Sequence, residues 1–333
     1  ACNTPVADGM VVDTRAEEVA EARRGVMELL LINHPLDCPI CDQAGECYLQ
    51  DYSFGYGREH ARTSSPRRKG VKRHPIGERV IFDQERCILC RRCVRFTKEI
   101  SKTDELRVLG IGDHSRIGTL PDAPLDNDYS ICTADICPVG ALLSADFHHK
   151  RRVWFLKDVE SVCPSCSNGC NVKIETFQNQ IQRLVPRRND AVNDTWMCDQ
   201  GRLNYGFAQD ESRVRTARVA GAPGQENGSR PSLSVATALA ELAKRIRAVV
   251  AEHGPSAVAL IGSPHLTNEE CLHLVRLRDA IGTPHLDLCV RLGAADELLI
   301  KAEKAANARG AREMGVAPGA GGRDAAGILA ACA

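Results

Sequence analysis

Apolar residues recur at helical spacing near the start of the chain. Val19, Ala22, Val26, Leu29 and Leu30 lie three or four apart, Thr14 with Glu17 reads as a capping box, and the pattern predicts a helix over 14–33 ending at His34-Pro35. That helix delivers His34 to the loop HPLDCPICDQAGEC. From 62 to 73 the run RTSSPRRKGVKR is basic and broken by Pro, Gly and Ser, which predicts an exposed connector. RCILCRRCVRFTKEI then reads as a loop entering a short helix, ahead of a Gly/Asp-rich stretch and CTADICPVGAL. The period changes at Val153: VWFLKD, NVKIETF and QIQRLV alternate, predicting short strands and a hairpin about Gln178-Asn179. Residues 217–232, rich in Gly, Pro and Ala, read as a linker. Beyond them Leu239, Leu242, Ile246, Val249 and Val250 mark a helix closing at Gly254, AVALIG a buried strand, Thr267 to Glu270 a second helix cap, and HLDLC a further strand. This β-α-β order predicts the beginning of an α/β domain with a parallel sheet. Gly262-Ser263-Pro264, after the first of those strands, reads as a plain turn rather than a phosphate cradle.

Length and charge narrow the functional classes. A chain of 333 residues suggests about two domains. Forty-three basic residues balance 43 acidic ones, so no global field draws the chain to nucleic acid or an acidic membrane, and the basic connector lacks interleaved aromatics. No apolar run approaches the roughly 20 residues needed to span a bilayer, which leaves any membrane association to partner subunits. The chain opens at Ala1 and closes in an Ala/Gly-rich string, so both ends read as cut.

Cysteine usage changes the picture most. Thirteen of the 16 cysteines lie in the first 198 residues, mostly in short C-x2-C units. That is ligand spacing in a chain long enough to bury a core, not a disulfide scaffold. The first set is His34, Cys38, Cys41 and Cys47, as H-x3-C-x2-C-x5-C. By itself it suits zinc or a four-iron cubane equally. The second is Cys87, Cys90 and Cys93, a C-x2-C-x2-C run, with Cys137 before Pro138 as the remote fourth, in the manner of bacterial ferredoxins. Cys132 competes for that role; Pro138 favours Cys137 and leaves Cys132 a buried neutral thiol. The third set is Cys163, Cys166, Cys170 and Cys198. Three successive four-ligand sets, one with the ferredoxin run, favour iron and sulfide over three zincs and imply a chain of electron carriers. Arg86, Arg91, Arg92 and Arg95 flank the second set, either stabilising a reduced cluster or lying as solvated helix charges.

NHPLDCPICDQAGECYLQDYSFGYG, ERCILCRRCVRFTKEI and DICPVGAL, in this order, with VCPSCSNGCNV, MCDQGR and LLIKAEKAANARG after them, resemble the large iron-sulfur subunit of respiratory NADH:quinone oxidoreductase, complex I. The resemblance implies one [4Fe-4S] cluster on His34, Cys38, Cys41 and Cys47, a second on Cys87, Cys90, Cys93 and Cys137, and an extra one, off the main electron path, on Cys163, Cys166, Cys170 and Cys198. It makes Cys2 an orphan ligand of an N-terminal [2Fe-2S] site whose other ligands this chain lacks, so that cluster is expected only if a missing N-terminal part is present. The implied architecture is α+β: a [2Fe-2S] domain remnant over 1–13, ferredoxin-like [4Fe-4S] modules over 14–150, a small β-rich cluster module over 153–213, a linker over 214–233, and over 234–333 the start of an α/β molybdopterin-oxidoreductase-like domain without molybdopterin. The implied function is relay of electrons from NADH and flavin toward quinone, beside other hydrophilic-arm subunits, including the NADH/FMN-binding one. The expected location is peripheral, on the cytoplasmic side of a bacterial inner membrane. No residue reads as a catalytic acid, base or nucleophile. The alternative, the α subunit of an NAD-linked molybdenum formate dehydrogenase, is disfavoured by the single ferredoxin run and by Asp199 after Cys198, where such enzymes usually carry Lys.

Overall fold

The computed structural model describes residues 4–218 and 232–332. They fall into two compact units, Ala1–Lys157 and Asp158–Ala333. Cys2 lies outside the described residues.

In the first unit, helix α1 spans Glu17–Ile32. Its N-cap is Ala16, with no side-chain cap. The predicted Thr14 cap is therefore wrong: Asp13 Oδ1 accepts from the backbone of Arg15 at 2.7 Å and Ala16 at 3.2 Å and holds the chain in a turn before the helix begins. The other end is as the sequence predicts, because the residue before a proline is pushed out of the helical region. Helix α2, Tyr48–Tyr56, packs against α1. The basic connector is exposed but tethered: the Arg62 guanidinium donates to Glu28 of α1 at 2.6 to 3.0 Å, the Arg68 backbone N–H to Asn33 at 3.2 Å, and Lys72 Nζ to Asp37 at 2.5 Å.

Strands β1 (His74–Pro75) and β2 (Val80–Phe82) lead to helix α3 (Arg92–Arg95), which runs into a π-helical turn over Phe96–Ile100. A ribbon of β3 (Arg107–Leu109) and β4 (Arg116–Gly118) follows, then the short helix α4 (Cys132–Asp135) and strand β5 (Leu142–Ser144). The sheet order is β1-β2-β5. Phe82 pairs with Leu142 in antiparallel register, so Cys87, five residues after one, and Cys137, five before the other, emerge at the same end of the pair. Val80, Phe82, Leu106, Leu125, Ile131, Val139 and Leu142 are buried in the core beneath them.

The second unit opens with a three-stranded sheet, β6 (Lys157–Val162), β7 (Asn171–Phe177) and β8 (Gln180–Pro186). Val153–Phe155, expected in a strand, instead forms a 3-10 turn ahead of it. The hairpin turns on Gln178 (φ 48°) and Asn179 (φ 62°), two left-handed residues that match the twist of the flanking strands. Helix α5 spans Asp199–Leu203. The ends of the expected linker that lie among the described residues are not loose: β9 (Ala217–Arg218) pairs antiparallel with β10 (Ser232–Leu233). Helix α6 (Val235–His253) is capped by Ser234 and ends at Gly254. Strand β11 (Leu260–Gly262), helix α7 (Asn268–Ile281) with its Thr267/Glu270 capping box, and strand β12 (Leu286–Leu288) complete a parallel β-α-β unit. Ile261 is 42% exposed, so β11 is covered on one face only and not buried as predicted. Helices α8 (Ala308–Glu313) and α9 (Ala325–Ala331) follow, and Cys271, Leu286, Leu288, Ala311 and Val316 form the core of this region.

Candidate metal centres

The first set is assembled by three short elements. His34 follows the end of α1, Cys38 opens a 3-10 turn over Cys38–Ile40, and Cys47 is the residue that caps α2. His34, Cys38 and Cys47 line one cavity, and Cys41 lies within electrostatic reach of both cysteines. Gly45 adopts φ +94°, and a Cβ there would overlap Val153 and Trp154, so the loop closes under the Trp154 ring only with glycine at this place. The Nδ1 atom of His34 is buried without a hydrogen-bond partner. Burial, reinforced by Arg86, pushes the His34 pKa down and holds the imidazole neutral, the form that offers a lone pair to a metal.

Arg86 distinguishes itself from the other arginines near the second set. It is 1% exposed, donates to Asp37 Oδ2 at 3.1 and 3.3 Å and to the Gly140 carbonyl at 3.5 Å, and lies 3.4 Å from Asp83. Arg91, Arg92 and Arg95 are exposed, and Arg95 pairs with Glu99.

The second set surrounds a small cavity lined by all four of Cys87, Cys90, Cys93 and Cys137, with Phe82, Ile88, Arg91, Arg92, Ile117 and Val139. The loop winds through left-handed Leu89 and Arg91 (φ 53° and 62°), and the Leu89 N–H points at Cys87 Sγ, 3.4 Å away. Burial pushes Cys87 up to about 11 and Cys93 to about 12, with the neighbouring thiols adding to both. Cys132 begins α4, is fully buried, and does not line this cavity.

The third set sits where β6, β7 and α5 meet. The Cys163 N–H bonds the Cys170 carbonyl at 2.8 Å, closing the loop, and Cys198 caps α5 with its sulfur accepting from the Gly201 N–H at 3.3 Å. All four thiols are buried, and Asn168 Nδ2 donates to Cys170 Sγ at 3.1 Å. A Cβ on Gly201 would sit 3.0 Å from Cys163 Sγ and 3.3 Å from Cys198 Sγ. Burial raises Cys170 to about 11 and Cys198 to about 12. Asp199, in the first turn of α5, is fully buried.

Burial raises Cys87, Cys93, Cys170 and Cys198 well above neutral pH, so a cation that takes the place of their protons releases them and contributes to folding. Their spread bears on what fits. A tetrahedral zinc with bonds of about 2.3 Å holds its sulfurs about 3.8 Å apart. Among the described residues, no three of the predicted ligands bring their donor atoms within 4.8 Å of one another.

Three known families match in the same order as the three sets. The NADH-ubiquinone oxidoreductase-G iron-sulfur binding region matches residues 23–62, the ferredoxin-like domain of NADH-quinone oxidoreductase subunit 3 matches 77–143, and the molybdopterin oxidoreductase Fe4S4 domain matches 156–210. Over most of its length the chain is similar to large iron-sulfur subunits of NADH-quinone oxidoreductases. It is 36% identical to the G subunit of NADH-quinone oxidoreductase from Streptomyces coelicolor over 89% of this chain and 34% of that one. Identity to subunit 3 of the Thermus thermophilus enzyme is also 36%, over 89% of this chain and 38% of the relative. The α subunit of a Geobacter sulfurreducens NADPH-Fe(3+) oxidoreductase is equally similar, 36% identical over 89% of this chain and 34% of its own length. The chain thus spans about a third of the length of these relatives. Three of its segments thus match iron-sulfur domains, and its described residues form small sheets with helices, an α+β arrangement. Among the described residues, no helix is long and apolar enough to cross a membrane.

Sequence reasoning missed two features. The pairing of the buried Arg86 with Asp37 beside the first set carries no spacing signal, since the two lie 49 residues apart in the chain. The second is a grouping of Asp42, His148 and His149, whose only trace in the sequence is the adjacent His pair after Phe147.

Proposed function

We propose that His34, Cys38, Cys41 and Cys47 hold one [4Fe-4S] cluster, that Cys87, Cys90, Cys93 and Cys137 hold a second, and that Cys163, Cys166, Cys170 and Cys198 hold a third. The chain is then an electron-carrying subunit of an NADH:quinone oxidoreductase, receiving reducing equivalents of NADH from a flavin on a partner subunit and passing them toward quinone. Bound clusters supply the one-electron chemistry; the chain supplies thiolates, an imidazole, burial and a fixed charge.

The observation that carries this reading is the abutment of the first two sites. Cys47 Sγ is 3.8 Å from the carbonyl of Pro138, the neighbour of Cys137, and Cys41 Sγ presses on Gly140. One compact unit therefore supports two adjacent redox stations. Arg86 lies beside the first site, where it acts on His34 and Cys41, and its buried cation favours the state that carries more negative charge. His34, as a neutral donor in place of a thiolate, acts in the same direction on the first site.

The modular division follows: cluster-bearing segments over 14–150 and 153–213, and the start of a molybdopterin-oxidoreductase-like domain over 234–333. The buried Asp199 after Cys198, in place of a cation, supports a chain with neither molybdenum nor pterin. In the parent complex the chain is peripheral, on the cytoplasmic face, and reaches the membrane through other subunits.

The test compares two variants in the assembled complex. Cys90→Ala should abolish NADH to quinone transfer while leaving NADH oxidation by artificial flavin acceptors largely intact. Cys166→Ala should lower the yield of complex, with near-normal turnover per bound flavin in what assembles. Equal loss in both at full flavin content would put the third site on the path and overturn this division of roles. The Geobacter relative supports a second reading, with NADPH as donor and ferric iron as acceptor. Activity with NADPH and ferric citrate, and none with NADH and quinone, would establish it.

A further inference from the structure

Outside the cysteine sets, one grouping gathers donors of metal-binding type. Asp42, next to Cys41, is buried; His148 is mostly buried and His149 half-exposed. One donor atom from each lies within 4.8 Å of the other two. Asp42 Oδ2 accepts the His149 backbone N–H at 2.8 Å, Asp42 Oδ1 faces His149 Nδ1 at 3.5 Å, and His148 Nε2 is 3.9 Å from Oδ2. The imidazole centroids are 3.8 Å apart. His149 reaches this position through a left-handed backbone, φ 57°.

The surrounding chain is fixed. Arg152 Nη1 donates to the Cys41 carbonyl at 2.6 Å, its Nη2 donates to the Pro39 carbonyl, and Lys150 pairs with Asp146 at 3.0 Å. We infer that Asp42, His148 and His149 form a binding site for one divalent transition ion of the zinc type, distinct from the three cysteine sets. Bonds of about 2.0–2.2 Å require the donors to close to roughly 3.3 Å from one another, a shift the half-exposed His149 ring can make. Two imidazoles and one carboxylate suit Zn2+, Co2+, Ni2+ or Fe2+, whereas Mg2+ and Ca2+ demand a shell of oxygens. Arg73 and Arg86 also act on His148, so charge attraction alone is weak here and selection falls to ions that coordinate nitrogen lone pairs. The exposed edge of His149 leaves the remaining coordination positions to water. An ion there ties the Cys38–Cys47 loop to the segment after β5.

The test titrates the cluster-loaded full chain, anaerobic and freed of loose metal by chelator, with Zn2+ against a chromophoric competitor, and separately with Co2+ to read the ligand set from its absorption. One equivalent of each should bind, and Co2+ should give ligand-field bands without a thiolate charge-transfer band. Losing an outer-shell partner of a metal typically weakens binding 10–100-fold, so removing a direct donor in His149→Ala should weaken Zn2+ by at least the upper part of that range, with iron and sulfide content unchanged. Absence of a bound equivalent in the parent chain, unchanged affinity in the His148→Ala/His149→Ala double variant, or a thiolate band with Co2+ would each overturn the site. None of the donors belongs to a cysteine set, so failure to load iron would count against the cluster reading alone.

Discussion

Gly140 offers a way to empty the first site without touching any of its ligands. It lies three residues after Cys137, yet a Cβ built on it would fall inside 3.0 Å of Cys41 Sγ and 3.1 Å from Gln43 Cβ. Ordinary non-bonded contact begins at about 3.5 Å, so in Gly140→Ala the Cys41 loop must retreat by more than about half an ångström. Ligand constellations tolerate about that much displacement before they fail. Overpacking of this kind costs typically 1–3 kcal/mol, and here the strain falls on the loop that carries three of the four donors. The Gly140 backbone is not left-handed, so alanine adds no conformational penalty of its own. The assay is iron and acid-labile sulfide per chain after anaerobic purification. Twelve of each are expected for the parent chain, from three cubanes, and about eight for Gly140→Ala. Gly25→Ala is the control: nothing lies within 4 Å of a Cβ there, it sits within α1, and alanine should stabilise the helix by up to about 1 kcal/mol at full iron content. Twelve irons in Gly140→Ala would refute the argument, as would loss of the second site with the first intact.

Other outcomes separate neighbouring residues. Cys137→Ser should lose about four irons per chain by the same stoichiometry, whereas Cys132→Ser should keep all twelve and lower only the denaturation midpoint, as judged by iron counts beside urea unfolding. Arg86→Leu should destabilise the first unit by about 3–5 kcal/mol, the usual consequence of stranding a buried carboxylate; the value should fall toward the low end because Lys72 also pairs with Asp37 and Asp83, and unchanged chemical denaturation would count against a structural role for this cation. Metal analysis of the intact parent complex should find no molybdenum; a stoichiometric amount would restore the formate dehydrogenase reading.

The sequence by itself offered the candidate donors in closely spaced groups. Metal ligands on short loops must be close along the chain, because only a few residues separate one corner of a cluster from the next, and C-x2-C spacing survives as a one-dimensional signal. The same holds for the hairpin at Gln178-Asn179 and the Thr267 capping box, where the interacting groups are four residues apart or fewer. The Thr14 cap failed despite being local, because Asp13 holds the Arg15 and Ala16 backbone in a turn and the helix starts later. Tertiary structure decided how distant segments meet. The pairing of Phe82 with Leu142 brings Cys137, and not Cys132, into the cavity of the Cys87 loop. Burial separates Arg86 from three arginines that look equivalent in the sequence, and chain packing joins Asp42 to a His pair over a hundred residues away. Such contacts depend on loop closure and on which face of a strand meets which helix, and neither leaves a periodic trace in the order of residues.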